Sequence, residues 1–308
     1  MNSPVTNLKP QSSRPQTETG DELRPVKGVN SILLVASGKG GVGKSTVSVN
    51  LACALAKTGQ KVGLLDADLY GPSIQRMMGT TDELIQDERG FATPGRTHGV
   101  WSLSMGNLAP PEAPLTWKGA LVAQALLQMF HEVNWPDLDV LVVDLPPGTG
   151  DIQLTILEQI PISGAIVVTT PQELAVADAE RAIVMFHDLG LPVFGLVENM
   201  NAYICPCCGQ PQDLYPSGTA PRLARKRHIN MLTGIPLDPS AQEFADNGAP
   251  LVLSSPDSLA AKSLFKLTKE VSAALKREQK AQILRTKDLG NPDAEQFWDN
   301  LLSGDQQP

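Results

Sequence analysis

The stretch SILLVASGKGGVGKST, residues 31–46, decides how the rest of the chain is read. Its first six residues form a short aliphatic run of the kind a strand covered on both faces requires. Gly38-Lys39-Gly40-Gly41-Val42-Gly43-Lys44-Ser45 follows and fits G-x-x-x-x-G-K-[ST], with Thr46 beside it and a helical segment expected over 44–58. A strand, this string and a helix in that order define a P-loop. The glycines let backbone N–H groups turn towards phosphate oxygens, and the helix N-terminus adds its positive end. Lys44 is placed for the β and γ phosphates and Ser45 for Mg²⁺. Because this reading gives Lys44 a task in phosphate charge and none in packing, Lys44→Ala is expected to stop hydrolysis and leave the fold intact.

Outward from the loop, short apolar runs recur at 61–65, 139–143, 163–168 and 192–197. They alternate with helical segments at 116–133, 173–189 and 257–276, the last with Leu259, Leu264, Leu267, Val271 and Leu275 at about helical spacing. Such alternation predicts an α/β fold, a mainly parallel sheet flanked by helices. Ligand groups of such a sheet collect at the carboxyl ends of strands. Asp66 and Asp68 follow one predicted strand and Asp144 ends another, so both segments should face the loop. Asp144 fits a Walker B acid for Mg²⁺. Pro146-Pro147-Gly148-Thr149-Gly150-Asp151 is then a candidate switch segment, its glycines allowing the backbone to re-form around a γ-phosphate.

The 308 residues carry 25 Lys and Arg against 33 Asp and Glu, a net charge of −8, so no general attraction to nucleic acid or anionic lipid is expected. The basic cluster Arg222, Arg225, Lys226 and Arg227 reads as the solvated face of a helix. Residues 1–28, rich in Pro, Ser, Thr and Gln, are expected to be a flexible arm; 29–276 the ATPase domain with the cysteine site; and 277–308 a polar tail. In that tail Phe297, Trp298, Leu301 and Leu302 line one side of a short predicted helix. The start of the chain lacks a secretory or transit pattern and no apolar run approaches a membrane span, which makes a cytoplasmic protein the expectation.

Three of the four cysteines, Cys205, Cys207 and Cys208, crowd into four positions. That is a poor disulfide framework and a plausible thiolate site in a reducing compartment. Cys205 and Cys208 form a C-x-x-C pair able to chelate one metal centre. A complete tetrathiolate would need a second chain, which a two-fold dimer supplies. An intersubunit iron–sulfur cluster, a zinc site and a redox dithiol are all compatible with the spacing.

Lys39, second in the loop, resembles the signature lysine of the deviant Walker A branch that includes nitrogenase iron protein, septum-site and partition ATPases and arsenite pumps. The resemblance implies that Lys39 reaches a partner's nucleotide, that Asp66 sits near the Mg²⁺ shell, that Asp68 positions or deprotonates the attacking water, and that Asn199 reads the adenine base. GKGGVGKST, LLDADLYGPS (64–73), VVDLPPGTGD (142–151) and VENM (197–200), with the C-x-x-C close behind, are together similar to the Mrp/ApbC family of iron–sulfur cluster carrier ATPases. This resemblance covers about 28–276. It implies a homodimer that hydrolyses ATP with Mg²⁺ and passes a four-iron four-sulfur cluster, bridged by Cys205 and Cys208 of each subunit, to apo-proteins. Many bacterial members carry a further small N-terminal domain, for which residues 1–28 are too short, and Cys207 within the pair is a departure. The competing reading is a spatial-positioning ATPase of the septum-site or partition type acting at membrane or DNA. It leaves the cysteines unexplained and lacks the basic surface either partner would need.

Overall fold

The computed structural model describes residues 23–69, 71–80, 85–88, 91–107, 119–205, 207–215 and 218–289. The elements run β1 (Ile32–Ser37), α1 (Lys44–Lys57), β2 (Val62–Asp66), α2 (Ile74–Met78), β3 (Ile85–Gln86), β4 (Ala92–Thr93), β5 (Gly95–Thr97), β6 (Val100–Ser104), α3 (Gly119–His131) and β7 (Val140–Asp144). The second half continues α4 (Asp151–Gln159), β8 (Gly164–Thr169), α5 (Glu173–Asp188), β9 (Val193–Ile204), β10 (Pro211–Gln212), α6 (Thr219–Lys226), β11 (Met231–Leu237), α7 (Pro239–Asp246), α8 (Leu251–Ser254) and α9 (Leu259–Leu289).

The main sheet has the order β10-β9-β8-β1-β7-β2-β6-β5, with β11 also paired to β9. Its pairings are parallel except for β5 on β6 and β10 on β9, while β3 and β4 form a separate antiparallel pair. The mainly parallel α/β sheet expected from the sequence is therefore the observed architecture. Helices cover both faces, and period-two alternation sends neighbouring side chains of a strand to opposite sides. Along β1, Leu33 and Val35 enter one core, beneath α1, α8 and α9, with Leu51, Leu55, Leu264 and Leu267. Ile32, Leu34 and Ala36 enter the other, beneath α3, α4 and α5, with Phe130, Ile156 and Phe186.

Register brings the chemistry to one edge. Val35 lies opposite Asp144, and Asp144 opposite Asp66, so the strand leading into the loop and two acid-tipped strands end together.

Three boundaries differ from expectation. Residues 23–28 belong to the body and not to the arm: Val26 is buried, Arg24 N donates to Gln159 O at 3.0 Å, and Leu138 N donates to Gly28 O at 2.7 Å. The strand expected over 192–197 runs on to Ile204, held by β11 along one side. The helix expected to end at 276 continues to Leu289, with Gln279 Nε2 donating to Ser31 Oγ at 2.8 Å. Residues 1–22 and the cluster Phe297, Trp298, Leu301 and Leu302 lie outside the described residues.

Within α9, Leu264, Leu267, Val271 and Leu275 are buried as the periodicity requires, while Leu259 is exposed. Leu267 is wholly buried between α9 and the sheet. Leu267→Ala should cost about 2–5 kcal/mol through lost transfer energy and the cavity left behind. Urea unfolding should show a lower midpoint with an unchanged slope; an unchanged midpoint would mean that α9 does not form part of the cooperative core.

Candidate functional site

The loop between β1 and α1 is built on close approaches. Gly43 has φ 81°, a left-handed conformation that disfavours side chains, and a Cβ there would lie 2.2 Å from Asn199 Nδ2. A Cβ on Gly38 would lie 2.1 Å from the carbonyl carbon of Asp178, so α5 backs directly onto the loop. Gly40 and Gly41 are exposed at the mouth, where backbone N–H groups can meet a ligand.

Beneath the loop lies a buried ionic cluster. Asp144 is 0 % exposed and pairs with the 7 % exposed Lys44, Nζ to Oδ2 2.7 Å. Ser45 Oγ donates to Asp144 Oδ2 and Ser48 Oγ to Oδ1, each at 2.6 Å. Both carboxylate oxygens are thus satisfied from the first turns of α1. In the nucleotide-free structure the lysine is accordingly a structural ion, which corrects the expectation that its loss leaves the fold untouched.

Asp66, also fully buried, accepts from Asp68 N at 3.1 Å, Ser73 N at 3.1 Å, Ile74 N at 3.3 Å and Ser104 Oγ at 3.0 Å. Burial, and secondarily the Asp144 charge beside it, push its carboxyl up to about 7, against the opposing pull of the backbone N–H groups. Its partners organise the turn into α2. Asp68 is less buried and accepts from Gly71 N at 3.2 Å.

The candidate switch segment 146–151 is gripped by a residue that no sequence pattern singles out. Gln153, on α4, donates from Nε2 to Pro146 O at 2.9 Å and Gly148 O at 3.3 Å, and accepts from Gly150 N at 2.9 Å. Gly148 N in turn donates to Ser37 O at 2.9 Å, tying the segment to the end of β1. Ser48, Ser104 and Gln172 are likewise absent from the sequence expectation. Ser48 alone carried a signal, since it lies one helical turn beyond Lys44 and shares its face. Thr46 lies in the first turn of α1, where its carbonyl accepts from Asn50 Nδ2 at 2.8 Å.

Lys39 does not join the buried cluster. Its Nζ donates to Gln172 Oε1 at 3.3 Å, and Gln172 Nε2 donates to Tyr215 Oη at 2.9 Å. Asn199 is buried, with Nδ2 donating to Val42 O at 2.9 Å, so it packs on the loop itself.

Six residues past Asn199, Cys205 begins the connection between β9 and β10. Cys205 N donates to Gln210 O at 3.0 Å and Gly209 N to Cys205 O at 2.8 Å, closing a tight knuckle helped by Gly209 at φ 70°. Backbone N–H groups of Cys207 and Cys208 point at the Cys205 sulfur, and these bonds hold its thiol below the usual range. That donor arrangement suits a thiolate ligand. Cys207 and Cys208 are exposed, whereas Cys53 is buried and its thiol is pushed up to about 12 by desolvation. Among the described residues, no group of three or more His, Cys, Asp or Glu side chains is arranged to hold a metal ion.

The basic cluster is a helix face, as expected: Lys226 and Arg227 pair with Glu180 at 2.7 and 2.6 Å. No helix among the described residues is long and apolar enough to cross a membrane.

A P-loop at the head of a parallel sheet, with its lysine, serine and strand-end aspartate assembled, defines a P-loop nucleotide-binding protein. Residues 28–272 match the ParA family described as NUBPL iron-transfer P-loop NTPases, and the chain belongs to that family. It is 49% identical over 234 residues to the iron-sulfur cluster carrier protein of Salmonella typhimurium, covering 76% of this chain and 63% of that relative's length. It is 46% identical over 256 residues to the iron-sulfur protein required for NADH dehydrogenase, mitochondrial, of Arabidopsis thaliana, covering 83% and 82%. A nucleotide-binding protein from Archaeoglobus fulgidus, solved in complex with ADP, superposes with TM-score 0.66 at 38% identity over 76% of this chain and 92% of that one. The cell-division ATPase MinD of Pyrococcus furiosus shares the fold, with TM-score 0.62 at 24% identity over 79% and 99%.

Two outcomes test this geometry in the nucleotide-free protein. Lys44→Ala strands a buried carboxylate and should destabilise by about 3–5 kcal/mol, with Asp144→Asn in the same chain recovering much of the loss. Urea unfolding that leaves Lys44→Ala at wild-type stability would contradict the buried pair. Asp66 holds its proton more tightly folded, near 7, than unfolded, near 3.8. Its stabilising contribution is therefore complete below the unfolded value and is lost as pH rises towards and through the folded one. The stability of wild type relative to Asp66→Asn should fall from about pH 4 to pH 7 and level off above it.

Proposed function

We propose that this chain binds and hydrolyses ATP and, as a pair of identical subunits, carries an iron–sulfur cluster that it delivers to apo-proteins. The observation that carries the reading is the joining of two sites by one strand: β9 touches the phosphate loop through Asn199 and ends at the C-x-x-C knuckle. The family, and the iron–sulfur carriers among its relatives, support it.

In this reading Gly38 to Thr46 hold the nucleotide, Lys44 neutralises β and γ phosphate charge, and Ser45 and Asp144 serve Mg²⁺. Asp66 lies behind them, Asp68 orients or deprotonates water, and Asn199 reads the base. When bound, Mg²⁺ supplies neutralising charge at the phosphates. Lys39 reaches a nucleotide across the two-fold axis. Leu174, 77% exposed beside Gln172, is the kind of apolar residue a second copy would cover. The cluster is cargo, of the four-iron four-sulfur type, held by Cys205 and Cys208 from each subunit, which completes four thiolates. A cytoplasmic setting would keep these thiols reduced. Nucleic acid and membrane have no part in this reading.

Anaerobic reconstitution with iron and sulfide, followed by absorption spectra and iron counting, is the test. Cys205→Ala and Cys208→Ala should each prevent stable cluster binding while ATP turnover stays within about twofold, because the knuckle lies six strand residues, about 20 Å, beyond the Asn199 contact. Cys207→Ala should keep the cluster. Bleaching by Cys207→Ala equal to that of its neighbours would replace the C-x-x-C assignment with adjacent thiolates, and uptake of zinc without visible absorption would remove the carrier reading.

A further inference from the structure

The cysteine knuckle is tied to the phosphate loop at both of its stems. On the entering stem the tie is Asn199, a buried side chain bonded to Val42 O within the loop. On the leaving stem it is Tyr215, bonded through Gln172 to Lys39 of the same loop. Gln172 stands at the N-cap position of α5 with no side-chain cap bond, and the neighbouring Pro171 carbonyl accepts from Thr219 Oγ1 at 2.5 Å, so the chain after the knuckle is moored beside it.

The two ties differ in strength. The Asn199 bond is enclosed by the loop and by Gly43, and its rupture would leave buried polar groups unpaired. Lys39, Gln172 and Tyr215 are all partly or fully exposed, and their bonds compete with water. A neutral amide oxygen is also a poor holder of an ammonium group: a phosphate oxygen makes a charge-assisted bond roughly twice as strong. A nucleotide within reach of Lys39 therefore takes the lysine from Gln172, and the side chain that orients Gln172 towards Tyr215 is lost.

Resting on the carrier reading above, we propose that Gln172 and Tyr215 are positioning residues that make the geometry of the cysteine knuckle depend on nucleotide. With the loop empty, Lys39 holds Gln172, Gln172 holds Tyr215, and the knuckle is fixed at both stems. With nucleotide bound, the Tyr215 tie is released, and the knuckle keeps only its hold through β9, the β10 pairing and the more distant Thr219 mooring. The buried Asn199 tie is the fixed hinge and the exposed relay is the releasable one. Any differential contact of this kind is reciprocal, so occupancy of the thiols must in turn bias Lys39.

Cysteine accessibility reads this directly in the full-length, cluster-free, reduced protein. The measurement is the rate of Cys205 alkylation by iodoacetamide, mapped by mass spectrometry, with and without the Mg²⁺ salt of a non-hydrolysable ATP analogue. Buried Cys53 is the internal control for unfolding. Because Lys39 reaches the nucleotide across the two-fold axis, protein concentration is set where sedimentation shows the two-subunit state in both conditions. In wild type the nucleotide should raise the Cys205 rate about threefold to tenfold, the factor carried by one neutral hydrogen bond. Tyr215→Phe and Gln172→Ala should each show that raised rate without nucleotide and respond to it by less than about twofold. Gln172→Glu, which can accept from both Lys39 and the Tyr215 hydroxyl, should restore the slow nucleotide-free rate; a merely structural role for the glutamine would not distinguish these variants.

A fluorescent ATP analogue separates the possible failures. If it binds wild type and the Cys205 rate does not change, or if Tyr215→Phe keeps the wild-type response, the coupling is wrong and the carrier reading survives. If it does not bind, the nucleotide site fails and the coupling falls with it.

Discussion

Asp144 is the group on which the working end of the molecule depends. It closes the strand β7 with a carboxylate that no solvent reaches, and it faces Lys44, Ser45 and Ser48, all from the opening turns of α1. A buried charge of this kind is costly unless every lone pair is met, and here a cation and two hydroxyls meet it. Because all three come from one helix, the contact fixes where α1 starts relative to the sheet. Because β1 lies beside β7, it also fixes the path of the loop between β1 and α1. The phosphate cradle is consequently shaped before any ligand arrives, with the lysine stored on the aspartate.

The neighbouring strand repeats the theme with a different solution. Among the described residues no cation bonds Asp66 directly; its oxygens are met by three backbone N–H groups and the Ser104 hydroxyl. Neutral donors compensate a charge less fully than an ammonium does, and the adjacent Asp144 adds repulsion, which is why its carboxyl titrates near neutrality. The same bonds set the turn that leads into α2. One side chain therefore shapes the rim of the site and carries a proton equilibrium that an arriving cation would shift.

What could be read in the sequence was what depends on local spacing. The loop string, its flanking strand and helix, and the acids at strand ends all follow from patterns within about ten residues, and the structure brings Lys44, Ser45, Asp66 and Asp144 together as those patterns require. What could not be read depends on where distant segments meet. Gln153 and Gln172 are ordinary helix-start residues until the fold lays the switch segment and the loop lysine against them. The outer half of β9, with Glu198, Asn199 and Asn201, is too polar to announce a strand, and β11 secures it by pairing from some thirty residues away, despite Pro236 within β11. Residues 23–28 look like the polar arm before them, yet a single buried valine, Val26, and two backbone bonds join them to the body.

The position of the cysteines follows from the same accounting. A strand inside the sheet is held by two cores, but β9 outruns them, and its last residues are only half-buried. The knuckle beyond is shaped by its own backbone bonds and carries little apolar surface, so hydrophobic burial contributes almost nothing to where it points. Its orientation must come from polar contacts, which are weak, directional and open to competition by charge. A thiol pair embedded in the core would be held rigidly and shielded from any acceptor. One placed on an overrunning strand is open to solvent, while Asn199 on one side and Tyr215 on the other keep its stems in contact with the phosphate loop and with Gln172 beside it.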